Sequence, residues 1–258
     1  KRNLQYREGP FIGYRYYDTA DVAVQFPFGY GLSYTTFEYS ELYVGEDGVK
    51  FSIKNTGTRD GAEIAQLYIG KSETGLIRPK KELKGFKKVW IKAGETVEVE
   101  IPFDDKTFRY FSTVSNKWEI EGGEYQIYIG KNVSDIELTG RIEKAGTITE
   151  LPYDIETLPS YKTGMVRNVH YEEFEKLYAK PLPEEKVGPL EINDALCQMK
   201  DAKSGLCRQV YKVLKSNLDK SYEKGVPDLN TMFIYNMPFR AMSKMTGGQV
   251  SREMTESI

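Results

Sequence analysis

The sequence has few residues that could form crosslinks, bind metal or supply a nucleophile. Among 258 residues there are two cysteines, Cys197 and Cys207, and one histidine, His170. A Ser-His or Cys-His nucleophile system would rest on His170 alone. That residue precedes Tyr171-Glu172-Glu173 and reads as a solvated loop or cap position. One histidine and two distant thiols argue against a zinc site, so neither metal nor cofactor is expected. Placed ten residues apart on one helix, the thiols would stand ~15 Å apart, beyond disulfide reach. Free thiols favour a reducing compartment such as the cytoplasm. No apolar run approaches the ~20 residues of a membrane-spanning helix. Thirty-six basic against 38 acidic residues leave a net charge of −2, which gives neither a nucleic-acid footprint nor a polybasic membrane anchor. The segment "FIYNMPFRAMSKM" brings only Arg240 and Lys244, thin support for a membrane-surface role.

What the sequence does have is alternation. Val49, Phe51 and Ile53 alternate with Lys50, Ser52 and Lys54, and Val97, Val99 and Ile101 with Thr96, Glu98 and Glu100. Tyr125, Ile127 and Ile129 alternate with Glu124, Gln126 and Tyr128, and Ile136 and Leu138 continue the theme. A period of two puts each row on one face of a strand, one face buried and the other wet. Glu46-Asp47-Gly48, Asn55-Thr56-Gly57, Ala93-Gly94 and Gly122-Gly123 punctuate the runs as turns. About seven short strands between Phe37 and Ile142 predict an antiparallel β-sandwich over residues 36–145. In "GGEYQIYIG" a tyrosine enters a late strand after a glycine turn, the signature of a tyrosine corner.

After Ala145 the period changes. Residues 146–189 read as a proline-bearing connector, and residues 190–258 as a smaller helical extension. Ile192, Ala195, Leu196, Met199, Ala202, Leu206, Val210, Val213 and Leu214 fall three or four apart, with Asn193 and Asp194 as caps. Gly205 inside this stripe costs ~1 kcal/mol relative to alanine and allows a break. Pro227 and Pro238 bracket a short helix over Leu229 to Met237. A last helix begins near Ser251, with Met254 and Ile258 still building its stripe, so both ends read as internal to a longer chain. Met232, Met237, Met242, Met245 and Met254 crowd this region and suit an adaptable interface.

Residues 1–35 are rich in tyrosine, phenylalanine and glycine without a clean period. In "FPFGYGLSYTTFEYS" (Phe26 to Ser40), Pro27 fixes the entry, and Gly29 and Gly31 permit a tight turn. Phe28, Tyr30 and Tyr34 are expected to wedge between layers. Tyr6, Glu8, Gly9, Phe11, Gly13 and the run Tyr14 to Asp18, followed by Phe26 to Phe37, resemble the segment of family 3 glycoside hydrolases (the β-glucosidase type) that leads out of the second catalytic domain. "RPKKELKGFKKVWIKAGETVEVEIPF" and "WEIEGGEYQIYIG" resemble the fibronectin type III-like domain that ends these enzymes. The resemblance covers about Leu4 to Ile142. "YEEFEKLYAKPLP" and "YNMPFRAMSKMTGGQVS" are similar to a helical extension of some larger bacterial members.

The resemblance implies a mainly β chain: the tail of an α/β sandwich domain over 1–35, the fibronectin-like sandwich, the connector and the extension. It also implies what is absent. Family members hydrolyse terminal β-glycosides with retention, using two carboxylates about 5–5.5 Å apart. The nucleophile is an aspartate of an N-terminal barrel in a motif like S-D-W, which does not occur here. The acid/base glutamate lies upstream of the segment matched by Tyr6 to Asp18. No catalytic residue is therefore assigned. The implied partners are the N-terminal catalytic domains of the same protein and, for the whole enzyme, a small β-glycoside or oligosaccharide, with Tyr30 and Phe28 as candidate residues of the pocket rim.

Other candidates meet plainer readings. Glu8, before a glycine and beside aromatics, has the type of a general acid, but a turn cap or a partner of Arg15 is the ordinary role. "GYGLSYTTF" lacks the G-K-[ST] ending of a phosphate loop and leads into a strand. Asn132-Val133-Ser134 spells a glycosylation sequon. Trp90, Tyr68, Tyr128 and Trp118 are candidates for a sugar platform, although Tyr68 and Tyr128, on the non-core phase of their strands, are explained as well by docking. A free-standing binding or adhesion module remains the second functional reading. The unsupported "FIGYRYYD" ahead of the first strand favours the severed enzyme.

Overall fold

The computed structural model describes residues 4–148, 150–183 and 189–256. The chain forms two compact units, one spanning residues 6–181 and the other beginning at Leu182.

The first unit contains nine strands among its described residues: β1 (Phe37–Val44), β2 (Gly48–Asn55), β3 (Gly61–Gly70), β4 (Glu82–Ile91), β5 (Thr96–Pro102), β6 (Arg109–Ser112), β7 (Lys117–Ile120), β8 (Gly123–Gly130) and β9 (Ile136–Lys144). Seven make the sandwich, as antiparallel sheets ordered β1-β2-β5 and β4-β3-β8-β9, and β6 with β7 forms a separate hairpin. The alternating rows supply the core. Phe51 pairs with Val99 and Val49 with Ile101 in one sheet, Leu67 with Ile129 and Ile69 with Ile127 in the other, and all eight are buried. The Asn55-Thr56-Gly57 turn is pinned from inside. Asn55 donates to the Arg59 and Ile91 carbonyls at 2.8 and 3.0 Å, and its Oδ1 accepts from Thr35 Oγ1 and Gly57 N. Asn132 is likewise a turn former: it is buried, and its Oδ1 accepts from Ser134 N and Asp135 N.

Residues 151–178, read from sequence as an aperiodic connector, pack as short helices. Helices α2 (Pro159–Thr163) and α3 (Tyr171–Tyr178), with α1 (Tyr14–Thr19) earlier in the chain, belong to the first unit. Leu158, Tyr161, Val166 and Val169 close a second core cluster with Phe11, and Tyr161 Oη donates to the Arg7 carbonyl at 2.7 Å. Gly164, in the left-handed region at φ 74°, interrupts this helical segment after one turn, which leaves no window long enough to show a period.

The second unit departs from one continuous helix. A 3₁₀ segment (Leu196–Asp201) is followed by α4 (Gly205–Glu223), whose first turn is capped by Ser204 Oγ accepting from Cys207 N. The residue capping the 3₁₀ segment is Ala195 rather than Asn193 or Asp194. The break resets the helical rotation. Cys207, Tyr211, Leu214 and Leu218 now recur at i, i+4, i+7 and i+11, and the first three join the Leu196, Met199, Met237 and Phe239 cluster. Leu206, Val210 and Val213, expected on the buried stripe, are exposed. Cys197 and Cys207 therefore sit on different elements, and both are free. Helices α5 (Leu229–Asn236), α6 (Met242–Met245) and α7 (Arg252–Glu256) complete the unit. Met237 is buried, Met245 and Met254 are exposed, and Ile258 lies outside the described residues.

The tyrosine corner is present. Tyr125 is buried and its Oη donates to the Glu121 carbonyl at 2.7 Å. Burial pushes its pKa up to about 12, whereas an unfolded tyrosine titrates near ~10. A raised folded pKa gives stability that is complete below about pH 10 and is lost as pH rises through the folded value. Tyr125→Phe should cost about 1–2 kcal/mol at pH 8 by orphaning the Glu121 carbonyl. It should also flatten the fall in denaturant midpoint between about pH 10 and 12, because one titrating group is gone. A variant as stable as the wild type at pH 8, with the same alkaline fall, would show that the corner carries no weight.

Candidate functional site

The feature that sets this sandwich apart is the segment ahead of it. Between Tyr14 and Gly29 this segment makes its contacts with the outer face of the four-stranded sheet. Tyr14, at the start of α1, stacks on Phe28 with centroids 4.2 Å apart and meets Tyr68 of β3 edge-on at 6.3 Å. Leu83 N donates to Tyr14 Oη at 2.9 Å, Val133 N to the Phe28 carbonyl at 3.0 Å, and Gln66 Nε2 to the Gly29 carbonyl at 3.1 Å. Tyr68 is consequently 0% exposed although it sits on the non-core phase of its strand. Its hydroxyl donates to Gln66 Oε1 at 2.6 Å, and desolvation raises its pKa.

Charge fastens the same seat. Arg15 and Asp18 stand three apart on α1, with Asp21 just beyond it, and they meet three consecutive residues at the entry to β4. Arg15 pairs with Glu82 at 3.2 Å, Asp18 with Lys81 at 3.1 Å and Asp21 with Lys80 at 3.2 Å. The Asp18–Lys81 pair is the buried one, each side chain being 10% exposed. Lys81 Nζ also donates to the Val133 carbonyl at 2.6 Å and lies over the Tyr128 ring at 5.7 Å. "YRYYDTAD" and "KKEL" are thus two halves of one ladder.

The opening turn is partly as expected. Tyr30 N donates to the Pro27 carbonyl, and Gly29 holds φ 85° at the third position, a type II turn. A Cβ on Gly29 would lie 2.1 Å from Gln66 Oε1, so glycine is required twice over. Gly31 is not constrained in this way, having open space around a Cβ and no positive φ. Phe28 is a wedge. Tyr34 is not, being 92% exposed. Tyr30 is 47% exposed and tilts against the exposed ring of Phe26 at 5.3 Å, so the two form an aromatic edge facing outward.

The remaining candidates do not converge on a reaction centre. Arg15 is engaged by Glu82 and not by Glu8. His170 is exposed at the start of α3 and makes no side-chain cap. Among the described residues no three His, Cys, Asp or Glu side chains cluster for a metal. Trp90 on β4 and Trp118 on β7 are exposed on separate sheets, and with Tyr68 covered no common platform forms. Glu63 has its pKa raised by burial, but it accepts from Tyr39 Oη at 3.0 Å and is buried beside the sandwich core. The arrangement can hold surfaces together.

Sequence reasoning missed the ladder, because its two halves carry complementary charges but lie about 60 residues apart with no local signal that joins them. Asp18→Asn would leave Lys81 buried and uncompensated, a loss of about 3–5 kcal/mol. The expected readout is a lower melting temperature with increased fluorescence exposure of the tyrosines under the segment. Asp21→Asn, at the exposed end of the ladder, should shift the melt by less than about 1 kcal/mol. Equal effects from the two substitutions would refute the ranking.

A family model for the fibronectin type III-like domain matches residues 63–133. The chain is 32% identical over 273 aligned residues to thermostable beta-glucosidase B of Acetivibrio thermocellus, covering 99% of this chain and 30% of that protein. It is 44% identical over 149 residues to the exo-alpha-(1->6)-L-arabinopyranosidase of Bifidobacterium breve, covering 56% of this chain and 20% of that one. The crystal structure of the Bifidobacterium adolescentis GH3 beta-glucosidase superimposes with a TM-score of 0.53 at 37% identity, covering 66% of this chain and 24% of its own. The chain thus spans less than a third of the length of these relatives. It is similar to a C-terminal portion of the family 3 glycoside hydrolases, and its sandwich matches a fibronectin type III-like domain over residues 63–133.

Proposed function

We propose that this chain is the structural, domain-docking part of a β-glucosidase-type enzyme whose complete form hydrolyses terminal β-glycosides with retention, and that it carries no bond-breaking residue itself. The observation that supports this most directly is the junction. Residues 6–35 spend a buried ion pair and a stacked pair of rings on seating themselves against the sheet, and they leave Phe26, Tyr30, Leu32 and Tyr34 exposed. Exposed apolar rings of this number mark a contact surface. Their partner in this reading is the catalytic portion of the same protein. In domain terms, residues 1–35 are the tail of that portion, 36–145 the sandwich, 146–189 a connector and 190–258 an extension. A stand-alone sugar-binding module is disfavoured, because the face a platform would use is covered at Tyr68.

Two outcomes test the reading. The purified chain should not turn over aryl β-glucosides above a buffer blank; saturable hydrolysis would overturn the assignment of the chemistry to other parts of the protein. In the complete enzyme, Tyr30 and Phe28 brace the rim of the sugar pocket by position. Tyr30→Ala should therefore lower kcat/KM about ten- to a hundredfold, ~1.4–2.8 kcal/mol of transition-state stabilisation, and leave the shape of the pH profile unchanged. A lowered melting temperature with unchanged kinetics would reduce Tyr30 to a packing residue.

A further inference from the structure

The two faces that the sandwich turns outward are unlike. Between β2 and β5 the outward row is polar: Lys50 stands opposite Glu100, Ser52 opposite Glu98 and Lys54 opposite Thr96. Between β3 and β4 it reads Ala62 opposite Trp90, Ile64 opposite Lys88 and Gln66 opposite Phe86. Phe86 is 66% and Trp90 68% exposed, and Ile64, diagonal to both rings, is exposed as well. Single exposed apolar side chains need no explanation, but a contiguous group of them marks a contact surface.

The other half of the same face is already covered. Tyr68 lies under Tyr14, and Gln66, the partner of Phe86 across the strands, donates to the Gly29 carbonyl of the seated segment. The open patch begins where the covered one ends. On the docking reading, what covers the first half is the tail of the catalytic portion, so the body from which that tail emerges is tethered to this face. Charge narrows the choice of occupant. Lys88, in the middle of the patch, and its exposed neighbour Lys87 form no ion pair among the described residues. A second copy of the chain, meeting the patch with the same patch, would set these lysines against like charge, whereas a surface bearing carboxylates would compensate them.

We propose that Ile64, Phe86 and Trp90 form a docking surface for the body of the catalytic portion of the same protein, which meets them with apolar side chains and places carboxylates against Lys87 and Lys88. This surface rests on the docking reading and extends it from the edge formed by Phe26 and Tyr30 onto the β3–β4 face. Affinity comes from burying the two rings, a residue type enriched at interface cores, while the lysines set orientation more than strength.

The test is thiol accessibility, read peptide by peptide by mass spectrometry so that Cys197 and Cys207 do not interfere. Phe86→Cys and Trp90→Cys, both at exposed positions, are reacted with a maleimide in this chain and in the complete enzyme. Lys50→Cys, on the outward face of the other sheet, is the control. Positions 86 and 90 should react at least about tenfold more slowly in the complete enzyme than in the chain, whatever the protein concentration, and position 50 equally in both. Unchanged reaction at either position, or equal slowing at position 50, would overturn the surface. So would protection that appears only as the protein is concentrated, which would assign the patch to a second copy. The docking role is read separately, from the kinetics of Tyr30→Ala. Free reaction at 86 and 90 beside impaired kinetics of that variant would therefore sink this surface alone.

Discussion

The Asp18–Lys81 ion pair is the constraint on which the arrangement of the first unit depends. Two opposite charges nine-tenths out of water are stable only while each faces the other, since either alone would be a buried, unpaired ion. Their pairing fixes α1 over the entry to β4 and sets where Tyr14 falls, and so which ring Phe28 can stack upon. From Phe28 the chain must reach Thr35 and the first strand, and the Gly29 turn against Gln66 is the way it does so. Because such a pair contributes specificity of placement more than raw stability, one seat is selected over many similar ones on an aromatic surface.

Much of this fold was legible in the sequence, because its signals are local. A period of two needs only five or six residues to declare itself, and Val49-Phe51-Ile53 faces the core as that period requires. Tyr125 could be placed at a corner because its partner, the Glu121 carbonyl, is four residues away. Where partners are distant, the sequence was silent. Lys81 and Asp18 are 63 residues apart, and nothing between them marks the ladder. Tyr68 shows the consequence: its phase said outward, and outward here means under Tyr14.

The second unit fails differently. The stripe through Leu206, Val210 and Val213 shares one face of α4, but its expected burial was carried over from residues 192–202, and phase does not carry across a break. The Ser204 cap restarts the helix at Gly205, and the apolar face then runs through Cys207, Tyr211 and Leu214. For the aromatic edge, composition was informative and position was not. Tyr30 and Tyr34 are four residues apart, yet one leans on Phe26 while the other is almost fully solvated.

The loop Arg78–Glu82 joins the two regions on which the fold depends most. Arg78 turns to Glu121, whose carbonyl is the acceptor of the tyrosine corner, while Lys80, Lys81 and Glu82 turn the other way onto Asp21, Asp18 and Arg15. Five residues thus tie the β8 corner to α1. Strain at either end is felt at the other, because a loop anchored by two buried ion pairs has no slack to absorb a shift. The seat that carries the outward aromatic edge is therefore anchored through the same loop as the β8 corner. Under the proposed docking role, such anchoring would serve to hold the aromatic edge in a fixed position toward a partner domain.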